Sequence, residues 1–246
     1  MRRICGFLAV ALLIAAGCSS RSSAKGDITV FAAASLTEAF DDAAGRIATR
    51  DPQLHITYDF AGSSTLVQQV EQGAPADVIA TADDTTMQQL VDAGLVEQPR
   101  IFAKNKLMII VAAGNPKHIT SLRDLARSDL TVVLCDPAVP AGRYALQALQ
   151  KADTTITPKS LETDVKVAVN RVTAGEADAS VVYATDVAAA GSKASGIEIP
   201  PQQNVETDYP IAIVKSTTHH DAAAAFVHEV AEGLGRAALN DHGFKT

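Results

Sequence analysis

The chain has 246 residues, and 28 aspartate and glutamate residues outnumber 21 lysine and arginine residues, for a formal net charge of −7. Such a chain is not expected to bind nucleic acid, because it has no basic patch to neutralise phosphates. About 220 residues follow the N-terminal segment described below, which is enough for two modest lobes.

The N-terminus has the pattern of an export signal. Two arginines precede an apolar stretch that is short for a membrane span, and the small residues before Cys18 resemble the lipobox of bacterial lipoproteins. We therefore predict a signal peptide over 1–17, a lipidated Cys18 and a flexible serine-rich tether over 18–26. Cleavage would remove two basic residues and no acidic ones, which changes the formal charge to −9. A plain secretory signal and a retained transmembrane helix are the alternatives.

The first predicted strand runs into a helix at a serine. Three alanines separate the β-type run Ile28–Phe31 from Ser35, and apolar residues then recur with helical spacing over 36–48. A helix N-terminus presents unpaired N–H groups that can hold an anion. Ser35 and Glu38 also match a capping box, which needs no ligand, so both interpretations remain open on this segment alone.

Strand-like and helical segments alternate along the rest of the chain, which indicates a parallel α/β architecture. A junction of strand, small residues and serine recurs at Ser63. The other predicted elements are, in order, strand Leu54–Phe60, helix Thr65–Gln72, strand Ala76–Ala80, a helix capped by Asp83-Asp84 and ending near Gly94, strand Phe102–Ala113, helix Leu122–Ala126, strand Leu130–Cys135, helices Arg143–Lys151 and Val165–Thr173, strand Ala179–Tyr183, strand Tyr209–Val214 and helix His220–Glu232.

Two of these strands are predicted to cross between lobes. The long apolar run around Lys106 would lead into a second lobe, and the strand from Tyr209 would return to the first. We expect lobe I to comprise 27–104 and 206–246 and lobe II to comprise 105–205, with a hinge and a cleft between them. A single doubly wound domain is the alternative.

Five junctions combine small residues with hydrogen-bond donors that carry no positive charge. Hydroxyls and helix N-termini of this kind suit a fully ionised oxyanion. Taken separately, each junction also has a structural explanation: an N-cap serine, a turn, a core valine or a buried tyrosine ring. The five are Ser35, Ser63, the turn at Ala141-Gly142, the helix start at Asp164-Val165, and Tyr183.

A series of motifs resembles the molybdate-binding proteins of ABC importers, in order and from Ile28 to Phe244. The motifs are Val30-Phe-Ala-Ala-Ala-Ser35-Leu-Thr, Phe60-Ala-Gly-Ser63-Ser-Thr-Leu66, Gly73-Ala-Pro-Ala-Asp77-Val, Asp136-Pro with Val139-Pro-Ala141-Gly142, Asp164-Val165, Val182-Tyr183 and His242-Gly-Phe244. The resemblance implies an α/β, two-lobed periplasmic-binding-protein fold of type II, with two crossover segments forming a hinge. It departs at Gly62, where the family commonly has a serine, and we expect this change to affect loop flexibility.

The resemblance also implies the ligand and the residues that bind it. Ser35 and Ser63 would donate from the first lobe, Ala141 and Val165 would donate backbone N–H groups from the second, and Tyr183 would add its phenol. The ligand would be molybdate, and also tungstate, with molybdenum bound as the oxyanion and no protein atom ligating the metal directly. We expect no further cofactor. Asp164 should point away from the anion and cap its own helix.

The implied function is a lipid-anchored, extracytoplasmic receptor that delivers its oxyanion to a membrane permease driven by a cytoplasmic ATPase. We expect a monomer without enzymatic activity. The alternatives are a sulfate or phosphate receptor of the same fold, an α/β enzyme acting on an anionic metabolite, and a regulatory ligand-binding domain.

Motifs of other chemistry are absent from the sequence. The six histidines lack zinc spacing, and neither a nucleophile elbow nor a phosphate-binding loop is present. The adjacent His219 and His220 are read as a solvated helix start, and Cys135 as a buried core thiol.

Overall fold

The computed structural model describes residues 26–246, so the predicted signal peptide, the lipidated Cys18 and nearly all of the tether lie outside the described residues. Gly26, placed in the tether by the sequence, begins the first strand. No helix in the described part of the chain is long and apolar enough to cross a membrane.

The strands are β1 (Gly26–Ala33), β2 (Leu54–Ala61), β3 (Val78–Ala80), β4 (Arg100–Ala112), β5 (Leu134–Cys135), β6 (Leu161–Glu162), β7 (Ala179–Tyr183), β8 (Ala194–Glu198) and β9 (Glu206–Ile213). The α-helices are α1 (Thr37–Arg50), α2 (Ser63–Glu71), α3 (Asp84–Asp92), α4 (Pro140–Lys151), α5 (Val165–Thr173), α6 (Ala184–Ala190), α7 (His220–Glu232) and α8 (Leu234–Asp241), and short 3-10 helices cover Ala34–Leu36, Leu122–Ala126 and Gly191–Lys193.

The long strand β4 belongs to both lobes. Its first half, from Arg100 to Lys106, pairs with β9, and its second half, from Leu107 to Ala112, pairs with β7 and β8. The first-lobe strands follow the order β2-β1-β3-β9, with β1 parallel to both β2 and β3. In the second lobe, β5 and β6 form a parallel pair that lies beside β7 through a bridge between Val132 and Ala179.

This pairing fits two lobes joined by two crossing strands, and the single doubly wound domain does not fit, because β4 divides its partners between two sets of strands. The crossing near Lys106 lies where the sequence predicts it, and β9 returns the chain to the first lobe. The lobe limits 27–104, 105–205 and 206–246 stay a prediction.

Strand β1 illustrates why the first lobe is a layered α/β structure. Its side chains alternate between two faces, and both faces are buried. Val30 packs in the cluster that contains residues of α1, α7 and α8, whereas Phe31 packs with Leu66 of α2 and Leu90 of α3. Because helices cover both faces, only the ends of the parallel strands are open to a ligand.

Several predicted elements agree with the structure and others need correction. Helices 165–173 and 220–232 and strand 179–183 have the predicted bounds. The strand predicted from Leu130 contains only its last two residues, because the Asp178 carboxylate instead accepts the N–H of Thr131 at 2.7 Å. Helix α4 begins at Pro140 and not at Arg143, since a proline suits the first turn, where its N–H is not needed.

Four elements have no counterpart in the sequence prediction, and one has a different type. Strand β6 has only two residues, which is too short for a pattern to show. Helix α6 and strand β8 consist mainly of alanine or small polar residues and have no clear apolar period. Helix α8 follows α7 directly after Gly233, and the sequence prediction contains only the first of these two helices. The segment Leu122–Ala126 is a 3-10 helix and not an α-helix.

Candidate ligand-binding cleft

All five predicted site residues line one small cleft between the lobes. The cleft has a cavity volume of about 20 Å³, far below the roughly 300–1,000 Å³ typical of sites for drug-sized ligands. Within the described residues its lining contains one carboxylate, Asp164, and no lysine, arginine or histidine. The lining residues are Ala33, Ala34, Ser35, Ala61, Gly62, Ser63, Ala82, Val139, Pro140, Ala141, Asp164, Val165 and Tyr183.

Ser35 does not form the predicted capping box. It lies inside the 3-10 turn between β1 and α1, and α1 begins two residues later without a side-chain cap. Its Oγ lies 2.8 Å from the hydroxyl oxygen of Tyr209. Glu38, the other half of the predicted box, accepts a hydrogen bond from Lys166 Nζ at 2.6 Å. The capping interpretation is therefore wrong.

Ser63 is not an N-cap either, because Gly62 occupies that position and Ser63 is the first residue of α2. Its Oγ accepts the backbone N–H of Ala82 at 3.0 Å. A hydroxyl that accepts one bond keeps its single proton for another partner. The buried Ser63 can therefore donate both its hydroxyl proton and a first-turn backbone N–H to a ligand in the cleft.

The second lobe presents two helix N-termini to the same cleft. Ala141 is the second residue of α4, whose N-cap Val139 has no side chain able to cap it. Val165 is the first residue of α5, and its N-cap Asp164 accepts the N–H of Val167 at 3.0 Å. The predicted helix cap by Asp164 is thus confirmed. Ala141 and Val165 lie in the first turns of α4 and α5, where backbone N–H groups have no acceptor within the helix. Both N–H groups can therefore donate to a ligand.

Gly142 shows how tightly the start of α4 packs. A Cβ at this position would lie 2.2 Å from the backbone oxygen of Asp136, which is far inside a normal contact. Only glycine lets the first turn of α4 approach the end of β5 so closely.

Tyr183 ends β7 and brings a phenol to the floor of the cleft. The residue is 1% exposed, and its hydroxyl has no hydrogen-bond partner of normal geometry among the described residues. Burial raises the pKa of Tyr183 well above its ordinary value, so the phenol stays protonated and can donate. A buried donor without a partner is costly unless a ligand accepts its proton.

Polar contacts join the two lobes around the cleft. Arg143 of α4 donates to the buried carboxylate of Asp83 at 2.8 Å. Asp83 also caps α3 by accepting the N–H of Thr86, which confirms the predicted cap. Ser64 Oγ donates to the backbone oxygen of Ala138 at 2.6 Å. The lobes are thus closed on each other.

A second ion-pair group lies on the other side of the cleft. Lys166 Nζ is 2.6 Å from Glu38 of the first lobe and 3.2 Å from Asp186 of the second. Burial raises the pKa of Asp186 to about 6, and Lys166 partly opposes that rise. No local sequence pattern indicates the ion pairs of Arg143 or Lys166, because their partners are distant along the chain.

Gly62 marks a place where the two lobes approach each other closely. A Cβ there would lie 2.7 Å from the backbone oxygen of Thr163. Its φ of −60° is accessible to any residue, so the glycine serves close approach and not the loop flexibility that the sequence suggested.

Groups outside the cleft offer no competing chemistry in the part of the chain that the structure describes. No cluster of three or more metal-ligating side chains occurs there. Cys135 is a buried free thiol, as predicted, and burial raises its pKa. His219 and His220 are exposed at the start of α7, also as predicted.

Comparisons with known proteins agree with this architecture. The profile of the bacterial extracellular solute-binding proteins matches residues 28–245. The molybdate-binding protein ModA of Mycobacterium tuberculosis (strain ATCC 25618 / H37Rv) is 38% identical over 243 residues, which cover 96% of this chain and 93% of that protein.

Two solved structures share the fold at lower identity. The periplasmic molybdate-binding protein of Azotobacter vinelandii has a TM-score of 0.80 at 20% identity and covers 89% of this chain and 99% of its own. The sulfate-binding protein SubI of Mycobacterium tuberculosis H37Rv has a TM-score of 0.77 at 21% identity and covers 89% of this chain and 86% of its own. The chain therefore belongs to the bacterial extracellular solute-binding proteins and, within them, to the family of the ModA molybdate-binding proteins.

Proposed function

We propose that this protein is the extracytoplasmic receptor of an ABC importer and that it captures molybdate in the cleft between its lobes. The observation that carries the proposal is the convergence of five neutral donors from both lobes on one cleft whose described lining contains no cation. Hydroxyls and helix N-termini can surround a dianion from all sides, and a closed cleft of low dielectric strengthens each contact.

The protonation state of the ligand favours molybdate over phosphate. Molybdate is fully ionised at neutral pH and needs only donors, whereas phosphate keeps a proton and needs an acceptor. The carboxylate in the cleft lining, Asp164, is engaged by the N–H of Val167. The described lining thus offers several donors and one carboxylate that already caps a helix, which suits a ligand that only accepts hydrogen bonds.

Sulfate has the same charge and shape as molybdate and differs in size. The donors do not separate the two by chemistry, so the choice between them rests on the 38% identity to a molybdate-binding relative. We extend the proposal to tungstate, which has the charge and tetrahedral form of molybdate.

The remaining features follow from a receptor function. We propose that the receptor is monomeric, is held at the outer face of the membrane by a lipid on Cys18, and hands its ligand to a permease driven by a cytoplasmic ATPase. We expect no enzymatic activity, because the five donors include no general base.

Isothermal titration of the purified full chain with molybdate, tungstate, sulfate and phosphate tests the proposal. Ser35→Ala and Ser63→Ala should each weaken molybdate binding by about 1.5–3 kcal/mol, the range for hydrogen bonds to charged groups. Ser180→Ala is a matched control, since this buried serine lies outside the cleft lining and has no hydrogen-bond partner among the described residues. Failure of the wild type to bind molybdate tightly would refute the function. Wild-type affinity in both cleft variants would refute the assigned site.

A further inference from the structure

Tyr209 links the donors of the two lobes from behind the cleft. It lies on β9, opposite Ala103 of β4, and is fully buried. Its hydroxyl oxygen is 2.8 Å from Ser35 Oγ, and its ring packs edge-on against the ring of Tyr183 at a centroid distance of 5.8 Å. Tyr209 thus touches one donor residue of each lobe without lining the cleft itself.

The direction of the hydrogen bond between Tyr209 and Ser35 decides whether the hydroxyl of Ser35 can donate to an anion. Either oxygen could donate in this pair. A serine hydroxyl has one proton, and an oxyanion only accepts. If Ser35 donates to Tyr209, it has no proton left for the ligand. If Tyr209 donates, the proton of Ser35 is free to point into the cleft.

The surroundings of Tyr209 allow it to act as the donor. Burial raises the pKa of its phenol far above the physiological range, so the proton is always present. The ring is held by edge-on contacts with Phe102 at 6.4 Å and with Phe244 at 5.3 Å. These contacts fix the position of the hydroxyl before a ligand arrives, which lowers the entropy that binding must overcome.

We propose that Tyr209 is a positioning residue for anion binding, whose hydroxyl donates to Ser35 Oγ and so directs the proton of Ser35 into the cleft. This inference rests on the proposed function, because it needs an anion at Ser35. It adds to the five cleft-lining donors a residue that acts through one of them.

A double-mutant cycle tests this role. The full chain is titrated with sodium molybdate as wild type, Tyr209→Phe, Ser35→Ala and the double variant. We expect Tyr209→Phe to weaken binding about 10-fold in the wild-type background, the scale of one hydrogen bond, and less than about 2-fold in the Ser35→Ala background. Tyr58→Phe is the matched control, because its partly buried hydroxyl donates to the Phe40 backbone oxygen at 3.0 Å, outside the cleft. Its affinity should equal that of the wild type.

A second variant separates the hydroxyl from the packing of the ring. Fluorotyrosine at position 209 keeps the hydroxyl and should bind within about 3-fold of the wild type, since a hydrogen bond is retained. An equal loss in the fluorotyrosine and phenylalanine proteins would overturn the inference, as would a Tyr209→Phe effect that is as large without Ser35 as with it. If the wild type bound no molybdate, the proposed function would be refuted. If the wild type bound molybdate and Tyr209→Phe bound it with the same affinity, only the role of Tyr209 would be refuted.

Discussion

Replacing Tyr183 with phenylalanine removes one buried hydroxyl. The variant should bind molybdate more weakly without losing stability in the absence of ligand. The hydroxyl has no partner of normal geometry among the described residues, although Tyr183 is 1% exposed. A buried polar group without a partner costs about 1–3 kcal/mol. The ring itself is well packed, with its edge against the ring of Tyr209 at a centroid distance of 5.8 Å.

The expected free-energy changes differ between the protein without ligand and the protein with molybdate. Without ligand, the free energy of unfolding of Tyr183→Phe should stay unchanged or rise by about 1 kcal/mol, because the orphaned donor is gone. With molybdate, the variant lacks a hydrogen bond to a charged group, which corresponds to about 1.5–3 kcal/mol and roughly a 10- to 150-fold higher Kd.

Isothermal titration and urea denaturation of the full chain, with and without molybdate, measure both quantities. Tyr58→Phe is the matched control. That substitution removes a hydroxyl that has a partner, so it should cost about 1 kcal/mol of stability and leave the Kd unchanged. If Tyr183→Phe bound molybdate like the wild type, or lost stability without losing affinity, the assignment of this phenol as a ligand donor would be wrong.

Two further predictions concern the contacts around the cleft. Arg143→Met should leave the buried Asp83 carboxylate without its partner in the other lobe, and we expect molybdate to dissociate about 10-fold faster in stopped-flow traces. Arg127→Met, which breaks an exposed ion pair within one lobe, is the control, and equal rates in both variants would contradict the interlobe role. The raised pKa of Asp186, about 6 against an ordinary 3.8, means that the folded state holds this proton more tightly than the unfolded chain. Its contribution to stability is therefore present in acid and is lost as pH rises from about 4 to 6. Asp186→Asn should gain stability relative to wild type over that window in urea melts, and a difference independent of pH would refute this account.

The sequence predicts elements well where the apolar pattern is regular. Helix 165–173 and strand 179–183 have clear periods and flanking polar residues, and their predicted bounds agree with the structure. Helix 184–190 was missed because its alanines give no distinct apolar face. The two-lobed fold followed from the resemblance to a known family together with two long strands placed as crossings.

The site was predictable only in part. Each of the five donors lies at a local junction, and the structure brings all five into one cleft. The partner of Ser35, in contrast, is Tyr209, which is 174 residues away, and the partner of Arg143 is 60 residues away. No local pattern encodes such pairs, because their members are far apart in the sequence and meet only in the folded chain. For the same reason the local capping box at Ser35 gave the wrong partner.

The position of the ligand can be found from a crystal structure of the protein grown with molybdate, with a map of the anomalous scattering of molybdenum. We expect one strong peak between the lobes, where the oxygens of the anion lie within hydrogen-bonding reach of the hydroxyls of Ser35, Ser63 and Tyr183 and the N–H groups of Ala141 and Val165. A peak elsewhere, or no peak at a saturating concentration of molybdate, would contradict this expectation.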